Sequence, residues 1–233
     1  MDRREVHKEV FLLWIITLLL IKLVVVGRGA GLPEIILVLV PILFMYMPVG
    51  MCWLRGVDSF DYPLALPAFS DFKTWGEALK LNATIIGIIA VPWIVGYHLW
   101  YTILFDKSPT WAWPPEGPLM VVGYHFFFVA IPEEFFYRGY LQTRLDEAYG
   151  VSWTIFGARL GWGWIITCVV FAVGHSLVDF QWWHFAIFFP SLIFGWMRAR
   201  TGGIIAGAMF HAWANITVSI LDASYGITDV PLP

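Results

Sequence analysis

Six polar side chains interrupt three otherwise apolar stretches of the chain. Glu133, Glu134 and Arg138 lie in Pro132-Glu133-Glu134-Phe135-Phe136-Tyr137-Arg138. His175 lies in Phe171-Ala172-Val173-Gly174-His175-Ser176, and His211 and Asn215 in His211-Ala212-Trp213-Ala214-Asn215. Neighbouring residues on a helix point about 100° apart, so the two glutamates meet different surroundings. Glu134 and Arg138, four apart, can pair on one face; Glu133 is then left toward the bundle interior, where a carboxylate can serve as a general base. His211 and Asn215 are also one turn apart and share a face. An imidazole and an amide placed together can donate to the oxyanion that forms when an amide carbonyl is attacked. A base, an orienting histidine and oxyanion donors together suit attack of water on a peptide bond.

Each cluster also has a plainer reading. Glu133, Glu134 and Arg138 can be wet charges at a helix end, as charges near span ends commonly are. His175 can bond a neighbouring carbonyl and do nothing else. His211 and Asn215 can be hydrogen-bonding glue between helices, beside a Gly203/Gly207 spacing that admits a close neighbour. Jointly these readings weaken, because packing alone rarely needs this many polar groups on three apolar helices.

The elements that must position these residues are membrane helices. Of 233 residues, 59% are hydrophobic and 13% charged, where a soluble domain carries about 25% charged residues. Mean hydropathy is +0.72. Apolar segments long enough to approach a bilayer span run over about 10–27, 33–53, 82–105, 119–140, 162–179, 184–198 and 203–221. The expectation is an all-α, polytopic transmembrane bundle of about seven spans, with six and eight as bounds; the segment 60–78 can hide an interfacial helix. No polar linker or repeat divides the chain, so residues 1–233 read as a single membrane domain with a catalytic core over about 119–220. Pro63, Pro67 and Gly76 punctuate one connection, and four prolines between 109 and 118 stiffen another beside Trp111 and Trp113.

The first apolar segment is too long for a signal-peptide core and is read as an uncleaved span. Arg3, Arg4 and Lys8 precede it; Arg55, Lys73, Lys80, Arg144, Arg159, Arg198 and Arg200 follow alternate spans, which puts the N-terminus in the cytoplasm. A net charge of −3 with no basic stripe argues against nucleic acid. Cys52 and Cys168 lack CxxC partners and read as packing residues. His98, Asn82, Lys22 and His184 read as interfacial or locally satisfied, and His125, about two turns before Glu133, can line a cavity.

One geometric tension remains in this layout. Glu133 lies about 14 residues from the outer end of its span, or roughly 21 Å, and His175 about 13 residues from the inner end of the next, or roughly 20 Å. In a core of about 30 Å the two depths differ by nearly 10 Å. Tilt, a deeper start to the fifth span or a kink at Pro132 would close that gap.

The motifs Glu-Glu-x-x-x-Arg, Phe-x-x-x-His and His-x-x-x-Asn, in that order on separate apolar segments, resemble the CAAX protease and bacteriocin-processing (CPBP) family of intramembrane proteases, which includes the type II CAAX prenyl endopeptidase. Here they read Glu133-Glu134-…-Arg138, Phe171-…-His175 and His211-…-Asn215, and the likeness covers about 119–220. The resemblance implies an endopeptidase of glutamate type, cutting near the C-terminal end of membrane-anchored or lipidated proteins. It implies that Glu133 and His175 activate a water, that His211 and Asn215 hold the oxyanion, and that Glu134 and Arg138 support them. It also implies a helical bundle with a cavity open to membrane and water. The short chain leans toward a prokaryotic cell-membrane member, and the Glu133–Gly139 phrase toward a myxosortase-like subgroup. Glu and His can ligate zinc, but no HExxH helix is present, and no metal or other cofactor is expected. A non-catalytic scaffold or bacteriocin-immunity-type protein on the same fold is the alternative; a proton-coupled transporter is a third reading, disfavoured by small size and the missing inverted repeat.

Overall fold

The computed structural model describes residues 2–62 and 66–227, in which helix dominates. Pro63, read above as turn punctuation, lies outside the described residues. Among the described residues, seven helical rods follow the seven apolar segments. They are α1 (Arg3–Gly29), α2 (Leu39–Arg55, entered through a 3-10 turn at Glu34–Val38), α3 (Phe72–Leu104) and α4 (Pro118–Tyr149). After them come α5 (Trp162–Val178), α6 (Phe188–Thr201, entered through a 3-10 turn at Trp182–Ile187) and α7 (Ile205–Tyr225). The chain is therefore an all-α membrane bundle. Four helices, α1, Glu34–Arg55, α3 and α4, are long and apolar enough to cross a membrane by length and composition; α5 is a shorter apolar helix.

Several helix limits differ from the hydropathy reading, two of them by about ten residues, and for one reason. α3 begins at Phe72, capped by the Asp71 carboxylate on the Thr74 N–H (3.2 Å), about ten residues before the apolar stretch starts. α4 runs past 140 to Tyr149 through the polar sequence Thr143-Arg144-Leu145-Asp146-Glu147. Hydropathy marks where lipid would touch a helix; it does not mark where the helix ends. The depth conflict does not arise in the structure: Glu133 and His175 sit at one level, with Glu133 Oε2 and His175 Nε2 3.8 Å apart.

α4 is not a uniform α-helix. π-helical turns cover Tyr124–Ala130 and Phe135–Gln142, with a short α segment Ile131–Glu134 between them. Pro132 sits in that segment, where it has no N–H to donate and its ring crowds the preceding turn. Wide turns of this kind are rare and gather at functional positions.

Between α4 and α5 a small antiparallel hairpin, not foreseen from the sequence, pairs Trp153 with Leu160 and Ile155 with Ala158. Its two-residue turn is Phe156-Gly157, both at positive φ (46° and 79°), which suits the twist of a tight hairpin.

Charges at one end of the bundle tie the N-terminal helices to α4. Glu9 of α1 accepts from Arg144 (2.8 Å) and from the Tyr140 hydroxyl (2.6 Å), and Arg55 of α2 lies 3.4 Å away. Arg144 also pairs with Glu147. Arg144, counted above as a loop charge, is thus a buried helix residue in an ion-pair network, and its weight in the orientation argument falls away. At the other polar positions, Asn82 donates to the Ala78 and Ala206 carbonyls (2.9 and 3.0 Å), joining α3 to the start of α7. Lys22 donates to the Val178 carbonyl at the C-terminal end of α5, and His98 meets the Tyr225 hydroxyl.

Close helix contacts rest on a few glycines. A Cβ added at Gly195 of α6 would stand 2.5 Å from Trp164 and 2.8 Å from the Gln142 amide oxygen, so α6 is seated directly on α5 and α4 there. Gly195→Ala is expected to cost about 1–3 kcal/mol by overpacking, read as a lower unfolding midpoint in detergent; an unchanged midpoint would contradict this packing.

Candidate active site

Glu134 stands at the centre of a dry polar cluster. Its carboxylate and the Arg138 guanidinium have no exposed side-chain surface, and Arg138 Nη1 lies 3.0 Å from Glu134 Oε1. The same oxygen meets His211 Nδ1 at 3.1 Å. One turn of α4 and a residue of α7 thus share a single buried carboxylate oxygen. Arg138 also donates to the Ser191 hydroxyl at 2.7 Å, from α6. Its guanidinium lies over the Phe171 ring at 4.2 Å and the Phe194 ring at 5.1 Å, where an aromatic face offsets part of the lost hydration of a cation.

α7 reaches this cluster because Gly207 carries no side chain. A Cβ there would stand 3.1 Å from Glu134 Oε2 and 3.2 Å from the Phe194 carbonyl. The other glycine of the proposed small-residue pair, Gly203, precedes α7, and a Cβ added there would meet nothing within 4 Å, so of the two only Gly207 marks a close approach.

Glu133 faces the other way, as the 100° offset requires. Its Oε2 lies 3.8 Å from His175 Nε2 and 3.9 Å from His211 Nε2. His175 donates Nδ1–H to the Phe171 carbonyl one turn back (2.9 Å), because a carbonyl can only accept. That bond turns Nε2 toward Glu133. The distances are too long for direct hydrogen bonds. They are short enough for one water to reach Glu133 and an imidazole at about 2.8 Å each. Glu133 and His211 keep only slight exposure, 10% and 5% of their side chains, and His175 keeps 17%.

Five of the six residues expected at the site therefore converge. Asn215, the sixth, is half-buried one turn beyond His211 on α7, and its side chain makes no hydrogen bond among the described residues. His125, expected at a cavity wall, is buried and pairs with the Ser219 hydroxyl (2.8 Å). Ser191 and Phe194, which complete the setting of Arg138 and His211, were not singled out from the sequence. In Phe188-Phe189-Pro190-Ser191-Leu192-Ile193-Phe194-Gly195 they look like ordinary lipid-facing or small residues. Only the close seat of Gly195 hints that this face of α6 points inward.

Comparison with known proteins bears on this segment. The family model described as type II CAAX prenyl endopeptidase Rce1-like matches residues 115–217, from just before α4 to within α7. This segment belongs to the CAAX protease family. The match takes in all three motifs and the four helices that carry the clustered side chains. No curated protein and no solved structure matches the chain. The match supports a CAAX-type intramembrane protease in general, a class whose substrate is a protein or peptide at a membrane.

Proteases with Glu and His in the site invite a test for zinc. Donors around a tetrahedral zinc with bonds of about 2.0–2.1 Å stand roughly 3.3–3.4 Å apart. The Glu133–His175 and Glu133–His211 spacings of 3.8 and 3.9 Å are wider. Among the described residues no group of three or more His, Cys, Asp or Glu side chains is arranged to hold a metal ion.

Proposed function

We propose that the protein is a glutamate-type intramembrane endopeptidase that cuts membrane-associated or lipid-modified proteins near their C-terminal end. The observation that carries this reading is the convergence of Glu133 Oε2 with the Nε2 atoms of His175 and His211 at 3.8 and 3.9 Å. A water held there gives a proton to Glu133 as its oxygen attacks the scissile carbonyl carbon. His175, fixed by the Phe171 carbonyl, orients that water. His211 Nε2 donates to the oxyanion, which requires both ring nitrogens to carry protons because Nδ1–H is given to Glu134; the Asn215 amide, one turn further on α7, is the second donor once substrate is bound. As the carbon–nitrogen bond breaks, the proton on Glu133 passes to the departing amine. Glu134 and Arg138 hold His211 in place and touch no reacting atom.

The family description names CAAX prenyl endopeptidases, and a C-terminal C-a-a-X is a prenylation signal, so a prenylated C-terminal peptide is the first substrate to try. The buried core that joins α1 and α2 residues such as Val10, Leu13 and Phe44 to Phe136, Phe171 and Phe210 supports reading the chain as one membrane domain around this site.

Purified protein offered C-terminal peptides, with and without a chelator, tests the reading. Cleavage is expected to stay within about two-fold after chelation, because the proposed steps use Glu133 as the base and need no metal ion. Loss of activity on chelation, restored by zinc, would contradict it.

A further inference from the structure

The three motifs lie on α4, α5 and α7, and α6 contributes to none of them. Yet α6 supplies a ring that stacks face to face on one partner of Glu134 and lies beside the other. The Phe194 ring stacks on His211 with centroids 4.5 Å apart and planes 13° from parallel. Its ring also lies 5.1 Å from the Arg138 guanidinium. Phe194 is buried, and its ring has little freedom, because Phe171 meets it edge-on at 6.2 Å and Phe210 at 5.9 Å. α6 cannot drift away, since Gly195 is seated against Trp164 and Gln142.

An imidazole has two points of attachment to its surroundings, its nitrogens, and can still swing about its side-chain bonds. Hydrogen bonding at Nδ1 alone fixes one edge of His211. Stacking fixes the plane of the ring. With the plane fixed and Nδ1 on Glu134, the opposite nitrogen Nε2 has one direction left, toward Glu133. Phe171 adds an edge contact at 5.9 Å, which limits tilt but offers no parallel face.

We infer that Phe194 is a positioning residue: its ring holds the His211 imidazole in the plane that aims Nδ1 at Glu134 and Nε2 at Glu133. It touches no reacting atom. A side chain of similar volume without a flat face fills the space and leaves the imidazole free to turn.

The test uses full-length protein in detergent or nanodiscs, with labelled histidine. The wild-type Nδ1–H of His211, donated to a buried carboxylate, should give a downfield proton resonance, assigned by its disappearance in His211→Gln. Phe194→Leu should lose or broaden that resonance, and its kcat should fall about ten-fold with KM little changed, the size of effect expected when an aromatic contact is lost. Phe194→Tyr, which keeps the face, should retain the resonance. If Phe194→Leu does not fold, Phe194→Met fills the same space without a face and gives the same reading. Retention of a sharp resonance in the Leu or Met variant overturns the inference, whatever happens to turnover. The turnover arm rests on the role proposed for His211. A lost resonance with unchanged kcat leaves Phe194 as the positioning residue and removes His211 from the mechanism.

Discussion

Glu133→Gln should abolish cleavage, by about a thousand-fold or more, while the protein still accumulates and unfolds at nearly the wild-type midpoint. Positioned proton transfer contributes on the order of 10²–10⁴ in rate, and here the same group also holds the attacking water. The substitution keeps the shape of the side chain and removes only its ability to take a proton. Folding should be spared because, among the described residues, Glu133 makes no ion pair with an arginine or lysine; its neighbours are two imidazoles at 3.8 and 3.9 Å. Wild-type turnover by purified Glu133→Gln protein would end the assignment of a base to this residue. A scaffold or immunity-type protein on the same fold would tolerate the change in any complementation assay.

Arg138→Leu should have the opposite signature, a loss of the fold and not of chemistry alone. Glu134 has no exposed side-chain surface and keeps only the His211 Nδ1 once the guanidinium is gone. Leaving a buried charge without its partner costs about 3–5 kcal/mol. For a chain of this size that corresponds to a fall of roughly 10 °C in the unfolding midpoint, measured in detergent. Arg138→Lys should rescue little, because a compact ammonium lacks the planar fork that meets Glu134 and Ser191 while lying over Phe171. Combining Arg138→Met with Glu134→Gln should recover much of the stability, since removing both charges removes the desolvation cost of each. If Arg138→Leu alone is as stable as wild type, Glu134 is not held as described.

The site was legible in the sequence to the extent that its chemistry is local. Glu134 and Arg138 pair within one helix, and Phe171 and His175 within another, so spacing alone placed them on common faces. The membrane class was legible because lipid imposes long apolar segments. Contacts between helices left no such trace. Arg144 read as a loop charge because hydropathy cannot see Glu9, far away on α1, waiting to pair with it. α4 seemed to end near 140 because its last turns face protein and its own ion pairs instead of lipid. Phe194 was lost among nineteen phenylalanines, since a stacking face and a lipid-facing ring are the same residue type until a partner is in view. The hairpin at 153–160 was missed because Phe156, a non-glycine at positive φ, hides the usual turn signal.

The central claim is that Glu133 and His175, from different helices, act on one water. Its most direct test is a double-variant cycle on purified protein, using Glu133→Asp and His175→Gln so that residual rates stay measurable. Groups that act as a unit are non-additive: once one is impaired, impairing the other costs little more. The double variant is therefore expected to cleave within a few-fold of the slower single variant. Losses that simply multiply would show the two residues working at separate places, and the account would be wrong.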